Sequence, residues 1–153
     1  MNRPKRLLFV CTANICRSPM AEALARRYAL ERGFAIETRS GGVMGLEGRP
    51  ADENAIAVLQ EIGVDLGLHR SAGIDEETIA WADWILVMEL DHARRIRELS
   101  PAAEDRTLML GSFGGVVGDV SDPMGSWKWR FRKTRDELQR CVRSFMDQLS
   151  TRE

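Results

Sequence analysis

Short, uninterrupted apolar runs alternate along this chain with longer stretches of helical period. Leu7-Leu8-Phe9-Val10 is apolar throughout, which predicts a strand over residues 6–10 covered on both faces. Met20, Leu24 and Tyr28 then recur at a spacing of four, predicting a helix over 18–32 with Ser18 as N-cap, Pro19 at N1 and Gly33 as its stop. A second strand is expected over 36–40, followed by a loop over 41–50 that holds four glycines. A helix over 52–62 closes at Gly63, and a short one is expected over 76–82. Residues 84–88, Trp-Ile-Leu-Val-Met, read as a central strand. A helix over 91–99 ends at Ser100-Pro101, and a fourth strand follows over 107–110. Residues 111–125 form a glycine-rich loop. The last helix, 127–149, carries the stripe Trp127, Phe131, Thr134, Leu138, Cys141 or Val142, Phe145 and Leu149. This alternation predicts an α/β fold: a four-stranded, parallel, twisted sheet with helices on both faces. No repeat, linker or low-complexity tract interrupts it, so residues 1–153 are expected to form one domain.

Charge narrows the partners. Twenty-two basic and 23 acidic residues leave a formal net charge of -1, which argues against a nucleic-acid or membrane footprint. Leu7 to Val10 follows Arg3, Lys5 and Arg6 but is too short for a signal-peptide core or a membrane span, so a cytoplasmic protein is expected. Three cysteines suit a reducing compartment and make no disulfide framework. With only two histidines, no zinc pattern emerges, and neither metal nor other cofactor is expected.

The first strand runs straight into candidate chemistry. Cys11 ends the apolar run, Arg17 follows after five residues, and Ser18-Pro19 opens a helix. A tight loop of successive backbone N–H groups makes an anion-binding hollow, and the positive end of the next helix adds to it. Arg17 has the planar fork to grip two phosphate oxygens. The same field favours thiolate over thiol at Cys11. A thiolate beneath a bound phosphoryl group is set for in-line attack, giving a cysteinyl-phosphate. A buried strand-end cysteine alone would not explain the polar Thr12-Ala13-Asn14 or the helix start behind it.

Residues 10–22, Val-Cys-Thr-Ala-Asn-Ile-Cys-Arg-Ser-Pro-Met-Ala-Glu, closely resemble the phosphate loop of the low-molecular-weight protein tyrosine phosphatases, bacterial-type branch, where glycine is usual at the Ala13 position. Ser40-Gly41-Gly42, His69-Arg70-Ser71, Asp83 with Ile85-Leu86-Val87-Met88, and Asp122-Pro123 extend the resemblance along nearly the whole chain. It implies a phosphate-binding loop after the first strand, built from Thr12, Ala13, Asn14, Ile15, Cys16 and Ser18. Cys11 is then the nucleophile and Arg17 the clamp. Ser18 assists the thiolate, and Asn14 holds the loop through a network with Ser40 and His69. Asp122 is the general acid and afterwards the base that activates water, a role that also suits expulsion of a phenol near neutral pH. The implied partner is a phosphotyrosine-containing protein, with the enzyme a monomer or weak dimer.

Several residues keep two readings. Asp119 is a rival acid or a charge at a turn. Cys16 is a semi-buried loop residue or a thiol that pairs with Cys11 under oxidation. Cys141 reads as core, and His92 as surface. Met124 and Gly125 stand where the family has an aromatic after Asp-Pro. The ring slot is therefore walled by Met124, or covered by Trp127 or Trp129; packing of Trp127 in the core is the plainer expectation. Val43, Met44 and Leu46 line the rim or tuck onto the sheet. Phosphoarginine hydrolysis is the alternative on this scaffold, though Ile15 favours a flat aromatic ring. Arsenate reduction needs two further thiols, and residues 80–100 contain none. A phosphate-binding module without turnover would not need Cys11, Arg17 and a candidate acid together.

Overall fold

The computed structural model describes residues 3–151. Its centre is β1 (Lys5–Cys11), flanked by β2 (Ile36–Gly42) and β3 (Trp84–Val87), with β4 (Thr107–Met109) outside β3. All pairings are parallel, in the order β2-β1-β3-β4. The apolar run 7–10 is fully buried because it faces two cores at once. Leu7 and Phe9 pack into a large core with α1 (Arg17–Arg32), α2 (Glu53–Gln60) and α5 (Lys128–Thr151). Leu8 and Val10 face a smaller core with α3 (Glu76–Trp81) and α4 (Leu90–Leu99). Each buried Leu, Val or Phe side chain contributes about 1.5–3 kcal/mol, so this short strand anchors both layers. Among the described residues, no helix is long and apolar enough to cross a membrane.

Several element ends depart from the sequence expectation. Ser18 is not the N-cap of α1: the helix begins at Arg17, and Cys16 occupies the cap with no side-chain hydrogen bond to the first turn. The Ser18 hydroxyl turns instead toward Cys11. The first-turn amides are thus left to the loop in front of them. Gly33 does stop the helix, in the left-handed region at φ 73°. The expected loop 111–125 starts with a 3-10 turn, Leu110–Gly114. Trp127 precedes α5 and is 77% exposed, so it is not a core residue. The helix stripe otherwise buries Phe131, Thr134, Leu138, Cys141, Val142 and Phe145, as its period predicts.

One glycine sets how closely β2 approaches the loop after β1. A side chain on Gly42 would bring its Cβ to 2.7 Å from the Thr12 carbonyl oxygen and 2.9 Å from the Asn14 nitrogen. Only hydrogen fits there. The loop is further tied to the next segment by Val43 N–H to Cys11 O (3.1 Å) and Met44 N–H to Thr12 O (3.0 Å).

Candidate active site

The loop over residues 11–17 lies at the carboxyl end of the central strand, where parallel sheets gather ligands. Its shape depends on Asn14, which is fully buried at φ 61°. That left-handed conformation costs a non-glycine residue energy, and Asn tolerates it best. Three hydrogen bonds hold it. His69 Nε2–H donates to the Asn14 carbonyl (2.7 Å) and the Ala72 amide donates to Oδ1 (3.0 Å). Asn14 Nδ2 donates to Ser18 Oγ (2.7 Å). Ser40 was expected in this network, but it pairs along β1 opposite Phe9 and its hydroxyl bonds neither Asn14 nor His69. The Ala72 backbone takes that place.

Ser18 Oγ lies 2.9 Å from Cys11 Sγ. Because Ser18 already accepts from Asn14, its own proton is free to point at the sulfur. A chain of donors from Asn14 through Ser18 therefore ends on the sulfur. Asp52 N–H to Ile15 O (2.9 Å) pins the far side of the loop to the start of α2.

Arg17 is one of the largest fully buried side chains, and a buried cation must be matched on all sides. One guanidinium nitrogen meets Glu89 Oε2 (2.6 Å) and donates to the Val120 carbonyl (2.8 Å). The other donates to Thr12 Oγ1 (3.2 Å) and stands 3.6 Å from Asp122 Oδ2. Val120 N–H in turn bonds Met88 O (2.8 Å). This pins the segment that carries Asp122 to the end of β3, two residues before the carboxylate. Asp122 Oδ1 accepts from Met124 N–H (3.0 Å), a local turn that sets the carboxylate over the loop.

Cys11, Ala13, Ile15, Arg17, Asp122 and Met124 line one narrow cleft, with room for about one water (≈ 10 Å³). A larger hollow of ≈ 260 Å³ lies at the opposite end of the sheet, between Phe34, Ile36 and Met146. It has no thiol and no carboxylate in its lining. Among the described residues, no group of three His, Cys, Asp or Glu side chains is arranged to hold a metal ion.

The model of the low molecular weight phosphotyrosine protein phosphatases matches residues 6–153. The chain belongs to this family. It is accordingly a phosphoric monoester hydrolase. It is 40% identical over 149 residues to the protein-arginine-phosphatase of Geobacillus stearothermophilus, covering 97% of this chain and 98% of that one. It is 34% identical over 139 residues to the low molecular weight protein-tyrosine-phosphatase Ptp of Acinetobacter johnsonii, covering 90% and 93%. The crystal structure of a low molecular weight protein tyrosine phosphatase from T. tengcongensis superposes with a TM-score of 0.89 at 36% identity, covering 94% of this chain and 99% of the other.

Two residues packed around Arg17 and Thr12 escaped the sequence reading. Glu89 clamps Arg17, and His92 is buried rather than on the surface. His92 Nδ1 accepts the Glu89 N–H (3.1 Å), so its proton sits on Nε2, 3.0 Å from Thr12 Oγ1. Burial pushes its pKa below the ordinary value; Glu89 pulls it up and Arg17 pushes it down. Glu89 directly follows the apolar run of β3, and a carboxylate at the carboxyl end of a central parallel strand is the signal that was available.

The rival residues sort themselves. Asp119 Oδ1 accepts from Leu90 N–H (2.9 Å) and so completes the start of α4, the plainer of its two readings. Cys16 is buried, and burial drives its thiol well above the usual range, with Asp52 and Asp122 adding to the effect. Cys141 is fully buried core. Val43 packs onto the smaller core, whereas Met44 is exposed at the rim.

Proposed function

We propose that this chain is a protein-tyrosine phosphatase that works through a cysteinyl-phosphate on Cys11. The observation that carries the proposal is the convergence of Cys11 Sγ, the Ser18 hydroxyl, the buried Arg17 fork and the Asp122 carboxylate on one cleft. The amides of Thr12, Ala13, Asn14, Ile15, Cys16 and Arg17 cradle the phosphoryl oxygens, and Arg17 caps them. The sulfur attacks phosphorus, the bond to the phenolic oxygen breaks, and Asp122 gives that oxygen its proton. Asp122 then takes a proton from water as the water attacks phosphorus. The S–P bond breaks and inorganic phosphate leaves. Ser18 stabilises the sulfur each time it is an anion. Asn14 and His69 keep the loop in register.

Ile15, which packs against the main core, and Met124 both line the cleft. Two apolar walls suit a flat phenyl ring; the sulfur of Met124 adds favourable contact with a ring. An ionised guanidinium between them would lose hydration on both faces. The second reading, a protein arginine phosphatase, draws support from the 40% and 36% identical relatives that bear that name, and from Asp122 as the carboxylate at the mouth. All the working groups come from one chain, so a monomer suffices. Three cysteines without disulfides fit the cytoplasm.

Turnover of matched phosphotyrosine and phosphoarginine peptides tests the choice. Phosphotyrosine is expected to be preferred. Cys11→Ser abolishes turnover of p-nitrophenyl phosphate, and Asp122→Asn slows aryl phosphates with poor leaving groups most. Substantial turnover by Cys11→Ser, or equal losses across leaving groups in Asp122→Asn, refutes the corresponding role.

A further inference from the structure

The segment just beyond the candidate acid departs from the charge balance of the rest of the chain. Residues 127–133 read Trp-Lys-Trp-Arg-Phe-Arg-Lys, four cations and no acid, in a protein whose formal net charge is -1. Only Phe131 turns into the core. Trp127 and Trp129 are 77% and 56% exposed, an unusual state for indoles, which bury most of their surface when nothing else binds them. Arg132 is committed to Glu61, which it meets at 2.7 Å. Lys128, Arg130 and Lys133 make no ion pair with any described residue; Arg130 stands over the Trp129 ring at 5.8 Å. Three uncompensated cations thus interleave with two open indoles. The run begins three residues after Met124, which lines the catalytic cleft and is itself partly exposed.

We propose that this ridge is a docking surface for acidic residues flanking the phosphorylated residue of the protein substrate. The proposal rests on the phosphatase reading given above. A polypeptide that delivers a phosphoryl group to Cys11 leaves the cleft over the rim that Met124 forms. From Lys128 to Lys133 the helix rises about 7.5 Å, which two to three residues of extended chain span at about 3.3 Å each. Carboxylates on that stretch meet Arg130 and Lys133, which share a helix face at i, i+3 spacing, while Lys128 on the other flank meets a carboxylate nearer the cleft; apolar stems lie on the indoles. An anionic lipid surface fits less well: the run is short, and Asp136 and Glu137 follow on the same helix and repel it.

The test uses the full-length enzyme and two phosphotyrosine peptides of equal length, with Asp/Glu or with Ser at the flanks. Three exposed rim charges predict a KM about tenfold lower for the acidic peptide. The advantage is expected to shrink as salt rises from about 0.05 to about 0.5 M. Reversing all three charges (Lys128→Glu, Arg130→Glu, Lys133→Glu) removes the preference through KM, leaving kcat and p-nitrophenyl phosphate turnover unchanged. Should that variant lose basal turnover, Lys128→Gln with Lys133→Gln decides the same way with less disturbance. Trp129→Ala raises KM for both peptides. Equal KM values in the wild type, or a preference that survives charge reversal, overturns the proposal. So does capture of the enzyme by anionic vesicles combined with indifference to peptide flanks. Failure to hydrolyse either peptide overturns the phosphotyrosine reading with it, whereas hydrolysis indifferent to the flanks overturns this inference alone.

Discussion

His92 links residue chemistry to pH. Folded, it is buried and neutral, with Nδ1 occupied by the Glu89 amide and Nε2–H turned toward Thr12. Protonating Nδ1 would break the first bond and set a second cation beside Arg17. Its folded pKa therefore lies below the 6.5 of a free imidazole, mainly because of burial. Between those two values the unfolded chain holds the proton and the native protein does not. Stability from this group is complete above about 6.5 and is lost as pH falls through that value toward the folded one. A single proton gives a slope of at most about 1.4 kcal/mol per pH unit. Thermal unfolding followed from pH 7.5 to pH 5 should thus show an acid-side decline that is shallower in His92→Asn. Parallel declines would mean that His92 does not titrate from a neutral buried state. That Cys11 and Arg17 share one loop was legible because their relation is local, with five residues between them. The role of His92 was not, since its hydrogen-bond partner Thr12 lies 80 residues away. A polar residue in an amphipathic helix reads as solvated until the tertiary partner is known.

At the scale of elements, periodicity carried the α/β alternation and the core stripes of α1 and α5, because burial on a sheet or a helix face imposes its own spacing. It did not carry the ends. Ser18 was assigned to the cap by residue type, yet the loop in front of α1 needs its hydroxyl more than the helix does. Trp127 was assigned to the core as the first position of the helical stripe, and the helix begins one residue after it. The approach of β2 to the loop offers a direct test. Gly42→Ala forces the Thr12–Asn14 backbone to move, since its Cβ would sit within 3 Å of three backbone atoms. Overpacking of this kind costs about 1–3 kcal/mol, and a loop displaced by about 1 Å can lose about 100-fold in turnover. Gly33→Ala is the control. Its left-handed φ of 73° makes it a strained substitution too, but nothing lies within 4 Å of the new methyl and the site is far off. Gly33→Ala should lower the melting temperature and leave kcat on p-nitrophenyl phosphate intact, whereas Gly42→Ala should lower both. If Gly42→Ala keeps full kcat, the close contact does not set the loop's working shape.

For the whole molecule, the loop's position makes anion binding a global matter. It grows from β1, the strand shared by both cores, and is fastened to α2 by Ile15, to the 69–72 segment by Asn14, and to the ends of β3 and α4 by Arg17. The loop cannot open without loosening β1, so an anion that binds the closed loop opposes unfolding of the entire domain. Binding to the native state alone stabilises by RT ln(1 + [L]/Kd), about 2.7 kcal/mol at a hundred times Kd. In a chain of this size each kcal/mol moves the melting temperature by about 2–4 °C, so saturating phosphate or vanadate should raise it by roughly 5–10 °C. Arg17→Lys keeps the charge but loses the planar fork that holds Glu89, Val120, Thr12 and Asp122 together. The variant should melt lower and lose most of the anion shift. Cys11→Ser, which leaves the amides and Arg17 in place, should keep the phosphate shift while losing turnover. The pairing separates the cradle from the sulfur. An undiminished shift in Arg17→Lys would move the anion site away from this loop. A phosphate shift abolished in Cys11→Ser would mean that the sulfur, rather than the cradle, holds the anion.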